Sequence, residues 1–176
     1  MSKHPFILKL GAFLHQSPGY SREFPFEHAK FQFSDEFSVK DLKGTVVVTR
    51  SQQGILVQGN FNGELELDCV RCLKEYNYSL AWDFDELYFF NKRDASKEDL
   101  ILPDNAQIDI KRIILEEALL VIPYSPTCKE GCEGLCQVCG TDLNFGDCGH
   151  DELPPQEGTD EEEHSPFAGL KDLLGE

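Results

Sequence analysis

Basic side chains are scarce in this chain. Its 16 lysines and arginines stand against 32 aspartates and glutamates, for a formal net charge of −16. They are also scattered, as Arg71, Lys74, Lys92-Arg93 and Lys111-Arg112, and no basic run occurs. Nucleic-acid affinity comes largely from lysine and arginine displacing counterions at phosphates, so a direct grip on RNA is disfavoured. A basic protein partner is the better expectation. Long apolar runs are absent too: even residues 113–122 are broken by Glu116 and Glu117, which argues against a membrane span. Residues 1–10 lack the apolar block of a secretory signal, so the expectation is a soluble, cytoplasmic protein whose thiols stay reduced.

Several catalytic signatures are also missing. There is no phosphate-binding glycine loop, no Gly-x-Ser-x-Gly and no dinucleotide fingerprint. The zinc-deaminase pattern, His-x-Glu ahead of Pro-Cys-x-x-Cys, does not appear. His4, His15, His28 and His164 are isolated and read as surface residues. The expectation is a protein that is not an enzyme.

What the chain has is cysteine at ligand spacing. Five of its seven cysteines fall in Cys128-x3-Cys132-x3-Cys136-x2-Cys139-x8-Cys148-x-His150, and Cys69-Val70-Arg71-Cys72 lies upstream. Two residues between thiolates let a turn aim both sulfurs at one ion, and Gly140 lets the backbone curl behind them. Small buried thiols in a core are the plain alternative. That alternative fits poorly beside Lys129, Glu130, Glu133, Asp142 and Asp147. Four ligands per structural zinc and eight candidates allow two sites, paired as Cys136/Cys139/Cys148/His150 and Cys69/Cys72/Cys128/Cys132. One zinc with spare thiols, iron in place of zinc, and a redox pair at Cys69/Cys72 remain open at this level.

Forty per cent hydrophobic residues, thirteen of them phenylalanine, suffice for a core. Residues 5–10 and 20–26 read as short strands around Ser17-Pro18-Gly19. From Gly44 onward Val46-Val47-Val48, then Ile55, Val57 and Phe61, then Leu65 and Leu67, mark strands, with Asn62-Gly63 as a hairpin turn. Tyr76, Tyr78, Leu80, Trp82 and Phe84 alternate with polar residues in a half-buried strand. Its aromatics read as core packing in preference to RNA-stacking residues, for want of lysine and arginine around them. Residues 91–105 read as a loop. Asp109 offers an N-cap to a helix presenting Ile110, Ile113, Ile114, Ala118 and Val121, which Pro123 and Pro126 end.

These signals predict an α+β domain over residues 1–150: an antiparallel β-sheet, open or partly closed, one main helix, and a zinc-binding loop module at 128–150. Residues 151–164 read as an acidic disordered linker. Residues 165–176, with Phe167, Leu170, Leu173 and Leu174 on one face, read as a short amphipathic helix that must dock on its own domain or on a partner.

The order of features resembles the YceD family, the large ribosomal RNA subunit accumulation proteins, in a cysteine-rich form. The resemblance covers roughly residues 40–176 and rests on three features. They are the Cys69-Val70-Arg71-Cys72 turn, the helix with Leu115-Glu116-Glu117 running to Ile122-Pro123, and the Gly134-Leu135-Cys136-Gln137-Val138-Cys139-Gly140-Thr141-Asp142-Leu143-Asn144 block. It implies a role in accumulation or processing of large-subunit ribosomal RNA and in ribosome assembly, with no catalytic activity assigned. A ribosomal protein or an RNA-processing factor is the implied partner. It also implies metal or structural roles for Cys69, Cys72, Cys128, Cys132, Cys136, Cys139 and Cys148, with His150 where relatives are expected to place cysteine. A redox- or metal-responsive regulator using the CxxC thiols is the alternative of a different class.

Overall fold

The computed structural model describes residues 5–150 except 36, 94 and 98. The linker and helix expected over 151–176 lie outside the described residues. The chain divides into two compact units, Met1–Glu130 and Gly131–Glu176.

The first unit is mostly β. Strands β1 (Ile7–Lys9), β2 (Ser21–Gln32), β3 (Ser38–Arg50), β4 (Gly54–Asp68), β5 (Glu75–Phe89), β6 (Leu100–Ile101) and β7 (Gln107–Asp109) precede a single α-helix, α1 (Lys111–Leu120). β2 to β6 form a five-stranded sheet in sequence order, and β1 pairs with β7 in a second, two-stranded sheet. The sheet does not close among the described residues, since β2 and β6 are its two ends. It is mixed, not wholly antiparallel, because β6 joins β5 in parallel at Tyr88↔Leu100 and Phe89↔Ile101.

One face of the sheet builds the core. Val39, Leu42, Val46, Val48, Ile55, Val57 and Phe61 are fully buried, and Leu65, Leu80, Trp82 and Phe84 nearly so. Period-two alternation explains most of this set, but Val39 and Leu42 are three apart. A bulge between Lys40 and Lys43, with Asp41 at φ +47°, brings both to the same side. The core is completed by Phe6, Leu8, Leu10 and Phe13 from the N-terminal segment and by Ile108, Ile110, Ile114 and Ala118 around α1. Phe6 stacks on Phe26 with centroids 5.2 Å apart and meets Phe31 edge-on at 4.7 Å.

Several local expectations change. Residues 5–10 do not pair with 20–26: β1 instead pairs with β7, a hundred residues away, and a 3-10 helix (Gly11–His15) follows it. Asn62-Gly63 is not a turn. Both residues lie inside β4, where a Cβ at Gly63 would overlap the Val39 side chain, so close packing and not chain reversal requires this glycine. The reversal between β4 and β5 is the Cys69–Cys72 segment. The loop expected at 91–105 contains β6. Asp109 Oδ1 accepts from Lys111 N at 2.9 Å, so it caps α1 from one residue ahead of the N-cap, Ile110. Val121 is exposed beyond the helix end, whereas Ile110, Ile114 and Ala118 are buried. Of the β5 aromatics, Trp82 and Phe84 lie in the core and Tyr78 packs against it, as expected.

Gly59 sits where a Cβ would overlap the ring of Phe84. That ring is part of the core and cannot swing aside without leaving it. We expect Gly59→Ala to lower stability by about 1–3 kcal/mol in urea unfolding. Gly11→Ala, whose Cβ meets nothing within 4 Å, should leave the midpoint nearly unchanged.

Candidate metal centres

The eight residues singled out by spacing gather into two groups with the membership the pairing gave: Cys69, Cys72, Cys128 and Cys132, and Cys136, Cys139, Cys148 and His150. Within each group the donor atoms all lie within 4.8 Å of one another.

The first group begins where the β4–β5 hairpin runs out. Cys69 N donates to Lys74 O at 3.0 Å and Leu73 N to Cys69 O at 2.9 Å, closing a tight turn with Leu73 at φ +58°. Val70 N donates to Pro126 O at 2.9 Å, which brings the segment leaving α1 alongside. Cys72 Sγ and Cys128 Sγ are then 3.7 Å apart. Two thiolates on one tetrahedral ion, each about 2.3 Å from it, would be about 3.8 Å apart. The backbone amide of Cys72, followed by those of Cys128 and Arg71, favours the Cys69 thiolate against the cost of burial and lowers its pKa to about 6.

The second group is held within the described part of the second unit. Cys136 N donates to Thr141 O and Gly140 N to Cys136 O, both at 2.8 Å, with Gly140 at φ +74°. This is the expected knuckle, and Val138 N points at Cys136 Sγ at 3.4 Å. Cys139 Sγ lies 3.2 Å from Thr141 Oγ1. That hydroxyl, then the Thr141 amide and Cys136, hold the Cys139 thiol down to about 6. His150 Nδ1 and Cys148 Sγ are 3.4 Å apart, against about 3.5 Å for an imidazole and a thiolate on one ion. The His150 amide favours the Cys148 thiolate, but crowding by Cys136, burial and Cys139 outweigh it and push its pKa up to about 11. Negative sulfurs so close resist ionising together, and a cation among them removes that resistance. The donor set, the spacings and the amides aimed at sulfur all fit a bound metal ion.

Two supporting residues escaped the sequence reading. Asn144 Nδ2 donates to Cys132 Sγ at 3.4 Å and to Asp142 Oδ1 at 2.7 Å, while its Oδ1 accepts from Glu133 N at 3.1 Å. Asp142 in turn caps the 3-10 helix Leu143–Phe145 by accepting from Asn144 N at 3.0 Å. Asn144 stood inside the quoted block, which was the available signal; its contact with sulfur was not. Thr141 beside Cys139 is the second. Ligand orientation by such outer partners is a regular property of metal sites.

Comparison with known proteins bears on the same residues. A family model described as "Large ribosomal RNA subunit accumulation protein YceD" matches residues 57–174. An uncharacterized protein of Mycobacterium leprae is 27% identical over 96 residues, covering 52% of this chain and 44% of its own length. An uncharacterized protein of Mycobacterium tuberculosis is 28% identical over 97 residues, covering 52% of this chain and 46% of its own. The chain thus spans about half the length of these relatives. No solved structure matches it.

Elemental analysis of purified chain should find two metal equivalents, and Cys69→Ala and Cys136→Ala should each lose one. Cys136→Ala should also lower the melting temperature of the second unit. Full metal content in either variant would remove that group as a site.

Proposed function

The chain belongs to the YceD family, and from that premise we propose that it promotes accumulation or processing of large-subunit ribosomal RNA during ribosome assembly. It acts in the cytoplasm as a non-enzymatic factor that binds a ribosomal protein or an RNA-processing factor. Zinc occupies both cysteine groups and holds the binding surface in shape. Each group offers four sulfur or nitrogen donors, a full tetrahedral set that leaves no position for a reacting water. Structural zinc contributes on the order of 10 kcal/mol to folding, comparable with the stability of a whole domain.

One observation carries the reading. Val70 and Leu73 on the Cys69–Cys72 turn, and Leu119, Leu120, Val121 and Tyr124 at the end of α1 and beyond, are all exposed. Leu120 keeps 76% of its surface in water and Tyr124 all of it. These two segments meet at the Val70–Pro126 hydrogen bond. Apolar side chains concentrated in this way mark an interaction surface. Charge points the same way: outward positions of β4 and β5 carry Glu64, Glu66, Asp68, Glu75, Asp83 and Asp85, with Lys40 paired to Glu66 at 2.7 Å. Such a surface repels RNA and attracts basic protein. That no helix among the described residues is long and apolar enough to cross a membrane accords with a role at the ribosome.

A thiol switch at Cys69/Cys72 is the second reading, supported by the depressed Cys69 pKa. Oxidant resistance of the zinc-loaded thiols separates the two, because structural thiolates on zinc resist oxidation.

Tagged chain should co-sediment with large-subunit precursors. Leu120→Asp combined with Tyr124→Ala should abolish this at unchanged zinc content and melting temperature. Normal levels of large-subunit ribosomal RNA in a deletion strain would count decisively against the assignment.

A further inference from the structure

Three side-chain polar atoms in the described residues are buried without a hydrogen-bond partner: Arg50 Nε, Tyr76 Oη and Trp82 Nε1. The guanidinium of Arg50 is already engaged, lying 4.2 Å over the Phe90 ring and donating to Ser51 O. Trp82 packs deep among Phe61 and its neighbours. Tyr76 is different, because its place on β5 sets it beside the first cysteine group.

The register fixes that placement. Tyr76 lies directly opposite Leu67 on β4, and Cys69 follows two residues after Leu67, just past the end of β4. The Cys69 N–Lys74 O hydrogen bond continues the ladder past the strand ends, so Tyr76 and Cys69 are diagonal neighbours on one face. Diagonal pairs are about 7–8 Å apart at Cα, within reach of an aromatic side chain. Cys69 is fully buried, so its sulfur draws on the protein, not on solvent, for donors. A phenol holds its proton at neutral pH and so can act as a donor.

We propose that Tyr76 is a positioning residue of the first metal centre: its buried hydroxyl, unpartnered among the described residues, donates a hydrogen bond to the Cys69 thiolate when a metal ion holds that sulfur. A neutral donor beside a cluster of anionic sulfurs spreads their charge and fixes the sulfur that receives the bond. It would also satisfy a hydroxyl that otherwise bears its desolvation cost unmatched. The proposal rests on metal occupancy of the first group, the reading given above.

The test uses the full chain and its Tyr76→Phe variant, which removes one oxygen and leaves the ring in place. Cobalt(II) serves as the spectroscopic probe and a chromophoric chelator as the competitor for zinc. We expect Tyr76→Phe to bind the parent's number of zinc ions but to yield one of them to the chelator about tenfold more readily or worse. The sulfur-to-cobalt charge-transfer band should also shift, a change that a purely packing role would not produce. Tyr78→Phe, at the next inward position on β5, should behave as the parent. Parent-like chelator release and an unshifted band in a zinc-loaded Tyr76→Phe would overturn the proposal alone. Absence of metal from the first group of the parent would overturn both the proposal and the metal reading beneath it.

Discussion

Sulfurs brought within a few ångströms of one another are the constraint on which the rest of the molecule turns. The Cys72–Cys128 separation of 3.7 Å matches two ligands of one tetrahedral ion, and the upward shift at Cys148 records the repulsion such crowding creates. Neither group is assembled by local sequence alone. The first needs the β4–β5 hairpin to run its full length so that Cys69 and Cys72 sit at its end, and it needs α1 to stop where it does so that Pro126 reaches Val70 and Cys128 reaches Cys72. The apolar side chains exposed on those same two segments follow from this geometry. What fastens the sulfurs also presents Val70, Leu73 and Tyr124.

A metal held by either group would be suited to fixing shape. Complete donor sets leave a bound ion no open coordination position, and amides or amide groups aimed at sulfur, such as Val138 N and Asn144 Nδ2, stabilise the charged ligands without offering a substrate anything. The outward face of β4 and β5 is acidic, a sign that repels phosphate.

The parts legible in the sequence were those with short-range signatures. Alternation over Tyr76–Phe84 identified β5, the apolar spacing identified α1, and cysteine spacing separated the donors into the two groups that the structure assembles. The parts that were not legible depend on distant neighbours. The strand within residues 5–10 was legible, but its pairing with the three-residue β7 a hundred positions away was not, because no local pattern records a distant partner. Asn62-Gly63 has the chemistry of a hairpin turn, yet the tight approach of Val39 to Gly63 decided its place inside a strand. The bulge at Asp41 broke the alternation of β3, and nothing near that aspartate announces it. Asn144 and Tyr76 owe their significance to sulfurs that only the fold brings near.

The pairing of β1 with β7 has a consequence for biosynthesis. Phe6, Leu8, Leu10 and Phe13 enter the core through a strand whose partner, residues 107–109, is made about a hundred residues later. On the ribosome the leading segment must therefore wait, apolar and unpaired, until most of the chain has emerged, and late closure of this kind is intrinsically slow. The growing chain can build the β2–β5 meander meanwhile, but the unit cannot seal until its last strand appears. Nascent copies are thus most open to capture by chaperones in that interval.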